Sequence, residues 1–238
     1  MASDLWTDPR LQHLLGVELP IIQAPMAGAV LSEMVIAVSA AGGLGSLPCA
    51  LLTPAEMRAE VEAIRRATPK PFGMNFFCHR PPRVDPAREE AWRRRLDEYY
   101  RELGIDAAPV VEPPARAPFG AAACDLVCEL APPVVSFHFG LPSDDLLSRV
   151  KATKATILSS ATTVDEARWL EAKGCDAIIA QGYEAGGHRG SFLTDDVATQ
   201  AGTFALVPQV VDAVKVPVIA AGGIADARGI VAAFALGA

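Results

Sequence analysis

The sequence predicts an α/β protein of the TIM (β/α)8 barrel type, and three observations support this prediction. Short apolar runs alternate with helical patterns, and Gly or Pro separates them. The runs are apolar on consecutive residues, which is typical of strands buried on both faces of a parallel sheet. The chain has 238 residues, and such barrels commonly reach about 250. A doubly wound sheet is the alternative, and the number of strand–helix units favours the barrel.

Seven strands are predicted, and each is expected to lead into a helix that crosses back to a parallel neighbour in the right-handed sense. In chain order the predicted strands cover residues 21–26, 43–49, 72–77, 134–140, 156–161, 177–182 and 217–223. With only seven units, we expect the barrel to be truncated after the seventh βα unit.

Two of the predicted helices begin with recognisable capping signals. Thr53 stands three residues before Glu56, and Thr163 stands three residues before Glu166, in each case at the start of a helical pattern. A hydroxyl followed at this spacing by a carboxylate is the capping box, in which each side chain accepts from the other residue's backbone N–H. The sequence therefore predicts helices at 57–67 and 167–173.

A long segment after the third predicted strand interrupts the alternation. Residues 79–131 are too many for an ordinary loop, so we interpret them as an insertion that forms a lid or substrate wall. Trp92, Tyr99 and Tyr100 recur there at near-helical spacing. An amphipathic helix packing these rings on the barrel rim is favoured over direct substrate contact. A second helix is predicted at 120–130.

Charge and cysteine content narrow the function classes. The net charge is −7 without a clustered basic face, which argues against a nucleic-acid partner. Five scattered cysteines suit neither a disulfide framework nor a zinc site, so no metal is expected. With no long apolar segment and no signal-peptide pattern at the start, we expect a cytoplasmic protein without membrane contact. Monomer and homodimer both remain open.

Polar residues and glycines stand where the predicted strands end, which in a barrel is the edge that carries the active site. They are Gln23, Ala24, Pro25 and Met26 on the first strand, Asn75 on the third, His138 on the fourth, Gln181 followed by Gly186, Gly187 and His188 on the sixth, and Gly222 with Gly223 on the seventh.

The two glycines after the seventh strand predict a phosphate site. Gly222 and Gly223 precede Asp226 and a predicted helix at 227–236, so backbone N–H groups could approach a phosphate at the helix N-terminus. A purely structural turn is the alternative. A phosphate near the amide side chains of the first, third and sixth strands suits flavin mononucleotide (FMN) better than a sugar phosphate.

Histidine is the candidate for acid–base chemistry because its pKa lies near neutrality. His188 follows two glycines on an irregular loop, which favours function over packing. His138 lies within an apolar strand and could instead be a core histidine with both nitrogens satisfied. His13 and His79 are expected to be structural or exposed.

Taken together, five segments resemble the motifs of the nitronate monooxygenase family, formerly called 2-nitropropane dioxygenases. They are Ile-Ile-Gln-Ala-Pro-Met at 21–26, Gly-Met-Asn-Phe-Phe at 73–77, Ser-Phe-His-Phe-Gly at 136–140, Gln-Gly-Tyr-Glu-Ala-Gly-Gly-His-Arg-Gly at 181–190 and Ala-Gly-Gly-Ile at 221–224. The match runs in order over nearly the whole chain, and the inserted segment resembles the bacterial branch.

The resemblance implies a non-covalent FMN and the oxidation of alkyl nitronates by O₂ to a carbonyl compound and nitrite. It implies that Gln23 and Met26, with Ala24 and Pro25 between them, lie beside the isoalloxazine. It further implies that the flavin and its phosphate are held by Asn75, Gln181, Gly186, Gly187, Gly222 and Gly223. His188 or His138 would bind the nitronate oxygens or remove the α-proton of a neutral nitroalkane.

Two other interpretations stay open. The Gly-Gly-His segment is shared with flavin-dependent enoyl-ACP reductases, which use NAD(P)H. Members of the resembled family continue into an eighth strand with a Gly-Thr phosphate-binding turn, which is not present here. The chain could therefore be an inactive fragment that folds poorly or binds FMN weakly, because a seven-stranded sheet leaves an open edge.

Overall fold

A computed structural model describes residues 8–81, 85–105 and 117–238 of the chain. Contacts divide the chain into two compact units. The first consists of Met1–His79 together with Pro118–Ala238, and the second of Arg80–Ala117.

The first unit contains a parallel sheet of six strands that lie side by side in chain order. The strands are β1 (Gly45–Pro48), β2 (Phe72–Phe77), β3 (Val134–His138), β4 (Thr156–Ala161), β5 (Ala177–Gln181) and β6 (Val218–Ala221). A doubly wound sheet reverses its strand order at a switch point, whereas a barrel adds each strand beside the previous one. The structure therefore confirms the α/β class and shows a half-barrel, and the truncation of a (β/α)8 barrel after its seventh unit remains a prediction.

Burial along the strands agrees with the continuous apolar runs of the sequence. Every residue of β1 is buried, as are nearly all residues of β2 to β5. In β6 only Val218 is fully buried. Because β6 lies at an edge of the described sheet, its remaining residues lack cover on one side.

The first of the seven predicted strands is wrong. Within the described residues, this segment makes an isolated parallel bridge between Ile22 and Leu44. The side-chain Oε1 of Gln23 then accepts the N–H of Ser46 at 3.0 Å, taking the donor that a continued ladder would use. Pro25 follows and has no N–H to offer. The pairing therefore stops after one bridge.

Helices connect the strands. They are α1 (Arg10–Leu15), α2 (Ser32–Ala40), α3 (Pro54–Ala67), α4 (Pro86–Glu102), α5 (Ala121–Leu130), α6 (Asp144–Ala152), α7 (Val164–Ala172), α8 (Thr203–Ala213) and α9 (Ala227–Ala235). Helix α5 contacts α3 and α6. Helix α2 contacts α3, and helix α7 contacts α8. The helix predicted at 120–130 is thus the crossover between β2 and β3. The second compact unit is accordingly shorter than the predicted insertion of 79–131.

The capping signals are confirmed for α3 and only half right for α7. At α3, Thr53 and Glu56 form the complete reciprocal box. At α7, the Thr163 hydroxyl accepts the N–H of Glu166 at 3.2 Å. The Glu166 carboxylate, however, makes its hydrogen bonds elsewhere, as described below.

Helix α1 covers the amino ends of the strands. Leu15 packs into a small buried cluster with Leu44, Val134 and Leu158. The Thr156 hydroxyl, at the start of β4, donates to the backbone of α1 at 3.4 Å. Since apolar packing takes this edge of the sheet, the polar strand ends gather at the opposite, carboxyl edge.

The second unit contributes helix α4, which Asp85 caps. None of the residues of α4 is buried. Trp92 and Tyr99 each keep 59% of their surface exposed, and their packing on the barrel rim stays a prediction. Arg94 pairs with Glu90 on the exposed face, as expected for a solvated charge run.

Two general features complete the fold. In the described ranges, no helix combines the length and apolar character needed to cross a membrane. The five cysteines carry free thiols, and Cys49, Cys124 and Cys175 are buried. Burial raises the pKa of Cys49 and of Cys175 to about 12, so these two thiols are poor nucleophiles at neutral pH.

Candidate active site

The candidate site lies at the carboxyl ends of the strands. The residues between β5 and α8, 182–202, form a long irregular segment that we call the β5–α8 loop. Side chains of β3, β5 and α7 bind the backbone of this loop, and Glu184 within the loop binds the start of α8.

His138 ends β3 and has a hydrogen-bond partner on each ring nitrogen. Nδ1 lies 3.0 Å from Oγ of Ser160, and Nε2 lies 3.2 Å from the backbone carbonyl oxygen of His188. A carbonyl oxygen can only accept, so the proton is on Nε2, and Nδ1 accepts from the Ser160 hydroxyl. Burial, the largest cause, lowers the pKa of His138 to about 4. The ring is therefore neutral at pH 7, with both nitrogens engaged.

Gln181 ends β5 and holds the same part of the loop. Its Nε2 donates to the carbonyl oxygen of His188 at 2.9 Å, and its Oε1 accepts the N–H of Gly190 at 2.7 Å. A Cβ on Gly190 would lie 2.7 Å from Cε1 of His138. The loop backbone thus approaches both side chains so closely that only glycine fits at this position.

Glu166 fastens the next part of the loop from α7. Its carboxylate is fully buried and accepts four hydrogen bonds, from the N–H and hydroxyl of Thr162 and from the N–H groups of Phe192 and Leu193, at 2.7–3.1 Å. Bonds to an ionised acceptor are stronger than neutral ones. Glu166 therefore ties the β5–α8 loop to the end of β4, in place of closing the predicted capping box.

Glu184 fastens the loop to the start of α8. It accepts the N–H and the hydroxyl of Thr203 at 2.7 and 2.9 Å. The backbone hydrogen bond from Thr203, the largest cause, lowers the pKa of Glu184. A carboxylate at this position also complements the positive end of the helix dipole.

The predicted phosphate-binding turn at Gly222 and Gly223 packs against Thr203 and Glu184. A Cβ on Gly222 would lie 2.6 Å from Oγ1 of Thr203, and one on Gly223 would lie 3.2 Å from Cβ of Glu184. Both glycines have positive φ, 127° and 70°. Contacts within the protein are therefore sufficient to require glycine at both positions, which favours the structural alternative for this turn.

The N-terminus of α9 is already occupied by a carboxylate. Asp226 accepts the N–H groups of Arg228 and Gly229 at 2.9 and 3.3 Å. These are the first-turn donors that the sequence interpretation assigned to a phosphate, so that part of the interpretation is not supported. The N–H groups of Gly222 and Gly223 donate to no acceptor among the described residues.

His188 itself is exposed, and its ring makes no hydrogen bond to a described residue. The ring centroid lies 5.4 Å from that of Phe77 and 5.8 Å from that of Phe139. Phe139 has φ 66°, a left-handed conformation that is strained for a bulky side chain. His79 also lies beside Phe139, at 6.1 Å between centroids. The site is therefore lined by imidazole and phenyl rings at the ends of β2 and β3.

The remaining predicted cofactor residues differ in whether other described groups of the protein already contact them. Asn75 donates from Nδ2 to Oγ of Ser136 at 2.9 Å, and its Oδ1 accepts nothing from the described residues. A Cβ on Gly186 or Gly187 would meet no atom within 4 Å, so this backbone borders open space. The Gln23 side chain is engaged with Ser46 and with the carbonyl of Ala24.

The structure thus brings together some predicted residues and separates others. His138, Gln181 and His188 form one hydrogen-bond network. Gly222 and Gly223 instead lie against Thr203 and Glu184. The first predicted strand, with Ala24, Pro25 and Met26, lies beside β1, and Met26 is 46% exposed. Among described residues, no three metal-binding side chains converge on a metal site.

Sequence reasoning missed Ser160, Glu184 and Phe139, and it misassigned Glu166. Ser160 stands at the end of a strand, so the rule used for Asn75 and Gln181 could have found it. Neither the long-range partners of Glu166 nor the φ of Phe139 leave a signal in the sequence.

A half-barrel of parallel strands with amide, imidazole and glycine-rich groups at its carboxyl edge defines the class of barrel-type α/β enzymes. Comparison with known proteins narrows the class. The family model described as nitronate monooxygenase matches residues 8–238, and the chain belongs to this family. The resemblance drawn from the sequence is thereby confirmed.

Individual relatives agree with the family. The chain is 45% identical over 235 residues to a nitronate monooxygenase of Paraburkholderia phytofirmans, covering 96% of this chain and 63% of that protein. It is 43% identical over 238 residues to one of Pseudomonas aeruginosa, covering 96% of this chain and 66% of that protein. The chain thus spans just under two thirds of the length of these curated relatives.

Solved structures show the same likeness. Nitroalkane oxidase from Streptomyces ansochromogenes superposes with a TM-score of 0.83 at 37% identity, covering 96% of this chain and 65% of the other. The M276A mutant of FabK from Thermotoga maritima superposes with a TM-score of 0.72 at 32% identity, covering 96% and 61%.

Proposed function

We propose that the site serves the FMN-dependent oxidation of alkyl nitronates, and of nitroalkanes, by O₂ to a carbonyl compound and nitrite. Family membership supports the reaction class. The observation that carries the proposal is the exposed imidazole of His188, whose ring hydrogen-bonds to no described residue and whose backbone carbonyl is fixed by two donors. Such an imidazole is held in place by its backbone and is free to act through its ring.

The residues at this edge fit a flavin mononucleotide in part. No described residue donates to the amide oxygen of Asn75. The backbone at Gly186 and Gly187 borders open space into which a planar ring could lie. We assign Asn75, Gly186 and Gly187 to the flavin, together with Met26 on the extended segment beside β1. The free N–H groups of Gly222 and Gly223 are the candidates for the phosphate, without the α9 N-terminus.

Gln23 and Gln181 take a supporting part in this proposal. Their amides bind the protein's own backbone at Ser46, His188 and Gly190. They therefore shape the strand edge and the loop against which a flavin would lie.

When bound, the flavin supplies the redox chemistry by accepting electrons from the nitronate carbon and returning them to O₂. The protein must orient an anionic substrate and move protons. We assign both tasks to His188. Its ring can donate to the nitronate oxygens, and imidazole is the side chain that most often serves as a general base, here for the α-proton of a neutral nitroalkane.

His138 is unsuited to accept that proton. Its Nε2 already carries a proton, and its Nδ1 lone pair is used by Ser160. The choice that the sequence left open between the two histidines therefore falls on His188 as the base, with His138 in a positioning role.

The test is anaerobic mixing of the FMN-loaded protein with an alkyl nitronate, propionate 3-nitronate among others. We expect the visible absorbance of the flavin to be lost without NAD(P)H and to return on admission of O₂, with release of nitrite. Bleaching only with NAD(P)H would overturn the proposal in favour of an enoyl-ACP reductase type of reaction.

The reductase remains the second candidate, because the chain is also 32% identical to FabK over most of its length. A purified protein that takes up no FMN would support the third interpretation, a chain inactive by itself. The cytoplasmic location and the choice between monomer and homodimer stay predictions.

A further inference from the structure

Ser160 is a buried hydroxyl on the candidate site for which neither the fold nor the family assignment supplies a role. It lies near the carboxyl end of β4 and is only 6% exposed. Its Oγ lies 3.0 Å from Nδ1 of His138. A hydroxyl can donate or accept, so Ser160 can satisfy Nδ1 of His138 in the tautomer that the other ring nitrogen requires.

Two neutral tautomers of His138 compete. With the proton on Nε2, the ring donates to the His188 carbonyl and accepts from Ser160. With the proton on Nδ1, the Nε2 lone pair would face the carbonyl oxygen of His188 at 3.2 Å, placing two acceptors against each other. The first tautomer satisfies every group, provided that a donor is present at Nδ1.

We propose that Ser160 is a positioning residue: its hydroxyl donates to the Nδ1 lone pair of the Nε2–H tautomer and thereby fixes the ring of His138 on the carbonyl of His188. Without the hydroxyl, the buried Nδ1 lone pair of that tautomer has no donor, which costs about as much as a lost hydrogen bond. Through the Nε2–H bond, Ser160 holds the carbonyl of His188. The His188 imidazole is thereby held against the rings of Phe77 and Phe139.

The neighbouring Ser159 is a natural control. It is fully buried, but its hydroxyl donates to the carbonyls of Phe137 and Gly140. Replacing either serine by Ala removes one buried hydroxyl from the same strand. Only the change at Ser160 removes the partner of His138.

That the His188 imidazole held in this way acts as a base rests on the proposed function, whereas the two readouts of the Ser160 role do not. The ring nitrogens of His138 and the exchange of backbone amides in the loop are measurable without any turnover. A failure of the proposed activity would therefore leave these two readouts intact, and a failure of the Ser160 role would leave wild-type flavin reduction intact.

The experiment compares Ser160→Ala and Ser159→Ala by ¹⁵N NMR of the imidazole nitrogens and by amide hydrogen exchange. In Ser160→Ala we expect the ¹⁵N resonance of His138 Nδ1 to move downfield, because this acceptor nitrogen loses its donor, while the proton stays on Nε2. We also expect exchange at the Gly190 amide to quicken about fivefold, the ratio equivalent to about 1 kcal/mol for one hydrogen bond. Ser159→Ala should leave both unchanged relative to its own global stability.

A second, isosteric pair covers the case in which the alanine variant does not fold. Ser160→Thr keeps the hydroxyl and should restore the wild-type ¹⁵N shifts, whereas Ser160→Val should not. If Val and Thr give the same His138 shifts, or if Ser160→Ala matches Ser159→Ala in both readouts, the proposal is overturned.

Discussion

The Nε2 nitrogen of His138 lies 3.2 Å from the backbone carbonyl oxygen of His188. The two histidines that stand out in the sequence are therefore in direct contact, but through a ring and a backbone group. The imidazole of His138 holds the loop, and the imidazole of His188 is exposed. This division of roles leads to the first prediction.

His188→Asn removes the proposed base. We expect kcat/KM for a neutral nitroalkane to fall by about 10²–10⁴, the usual contribution of a general base. For a preformed nitronate, which needs no proton removal, the loss should stay below about tenfold. Steady-state oxygen consumption with both substrates measures this, and His13→Asn, at an exposed position of α1, is the control. Equal losses on the two substrates would leave His188 with an orienting role only.

The lowered pKa of His138 predicts a pH dependence of stability. Between about 4, its value in the folded state, and 6.5, its ordinary value, the unfolded chain binds a proton that the folded chain does not. The free energy of unfolding should therefore fall as pH drops through this window and be fully restored above it. The difference is up to about 3 kcal/mol.

Urea unfolding at several pH values between about 4 and 7 checks this window. His138→Gln, which cannot titrate, should flatten the dependence. Glu166 and His188 also act on the His138 ring, so a His188→Gln variant is needed beside it. An unchanged pH profile in His138→Gln would assign the dependence to other groups.

Glu166→Gln tests the buried carboxylate that anchors the loop. An amide would turn an NH₂ group toward donors that now bind an ionised oxygen, so we expect the free energy of unfolding to fall by about 2–4 kcal/mol. Amide exchange should quicken at Phe192 and Leu193.

The matched control for this change is Glu171→Gln in the same helix. Glu171 accepts the N–H groups of Lys215 and Val216 before β6. Exchange in that variant should quicken at those two residues and leave the β5–α8 loop unaffected. Faster exchange at Phe192 in both variants would mean that α7 loosens as a whole.

Replacement by alanine should lower the free energy of unfolding at one glycine of the loop and leave it nearly unchanged at another. At Gly190 a Cβ would lie 2.7 Å from His138 and 3.1 Å from Gln181, so Gly190→Ala should cost about 1–3 kcal/mol of unfolding free energy. At Gly186 a Cβ meets nothing within 4 Å, so Gly186→Ala should leave the unfolding of the flavin-free protein nearly unchanged.

If the backbone at Gly186 faces the flavin, the methyl group should still weaken FMN binding. Titration followed by flavin fluorescence measures this, and we expect Kd to rise about tenfold or more. An unchanged Kd would place the flavin elsewhere on the carboxyl edge.

The sequence alone predicted those structural elements whose defining residues lie close together in the chain. The strands β1 to β6 follow from consecutive apolar residues bounded by Gly and Pro, since strands buried on both faces need no polar alternation. The start of α3 follows from Thr53 and Glu56, which lie within one helical turn and whose bonds need no other partner. Both features depend on residues close together in the chain.

The predictions that failed depend on distant partners. The first strand was expected from its apolar run, but the ladder ends because Gln23 meets Ser46, 23 positions away. Glu166 fits a capping box by spacing, yet its carboxylate binds Phe192 and Leu193, 26 and 27 positions away. Where donors from another segment are buried beside a carboxylate, they outcompete a local N–H that could be solvated.

The sequence by itself determined the α/β class, the family and the set of polar residues at the strand ends. Only the tertiary structure decided which of those residues bind the β5–α8 loop and which are exposed at the site. His138 has its partners 22 and 50 positions away, at Ser160 and His188, and its burial arises from the packing of three strands and a loop. A tautomer, a pKa and an exposed ring are properties of that packing, because each depends on which donors and acceptors the fold places around the residue.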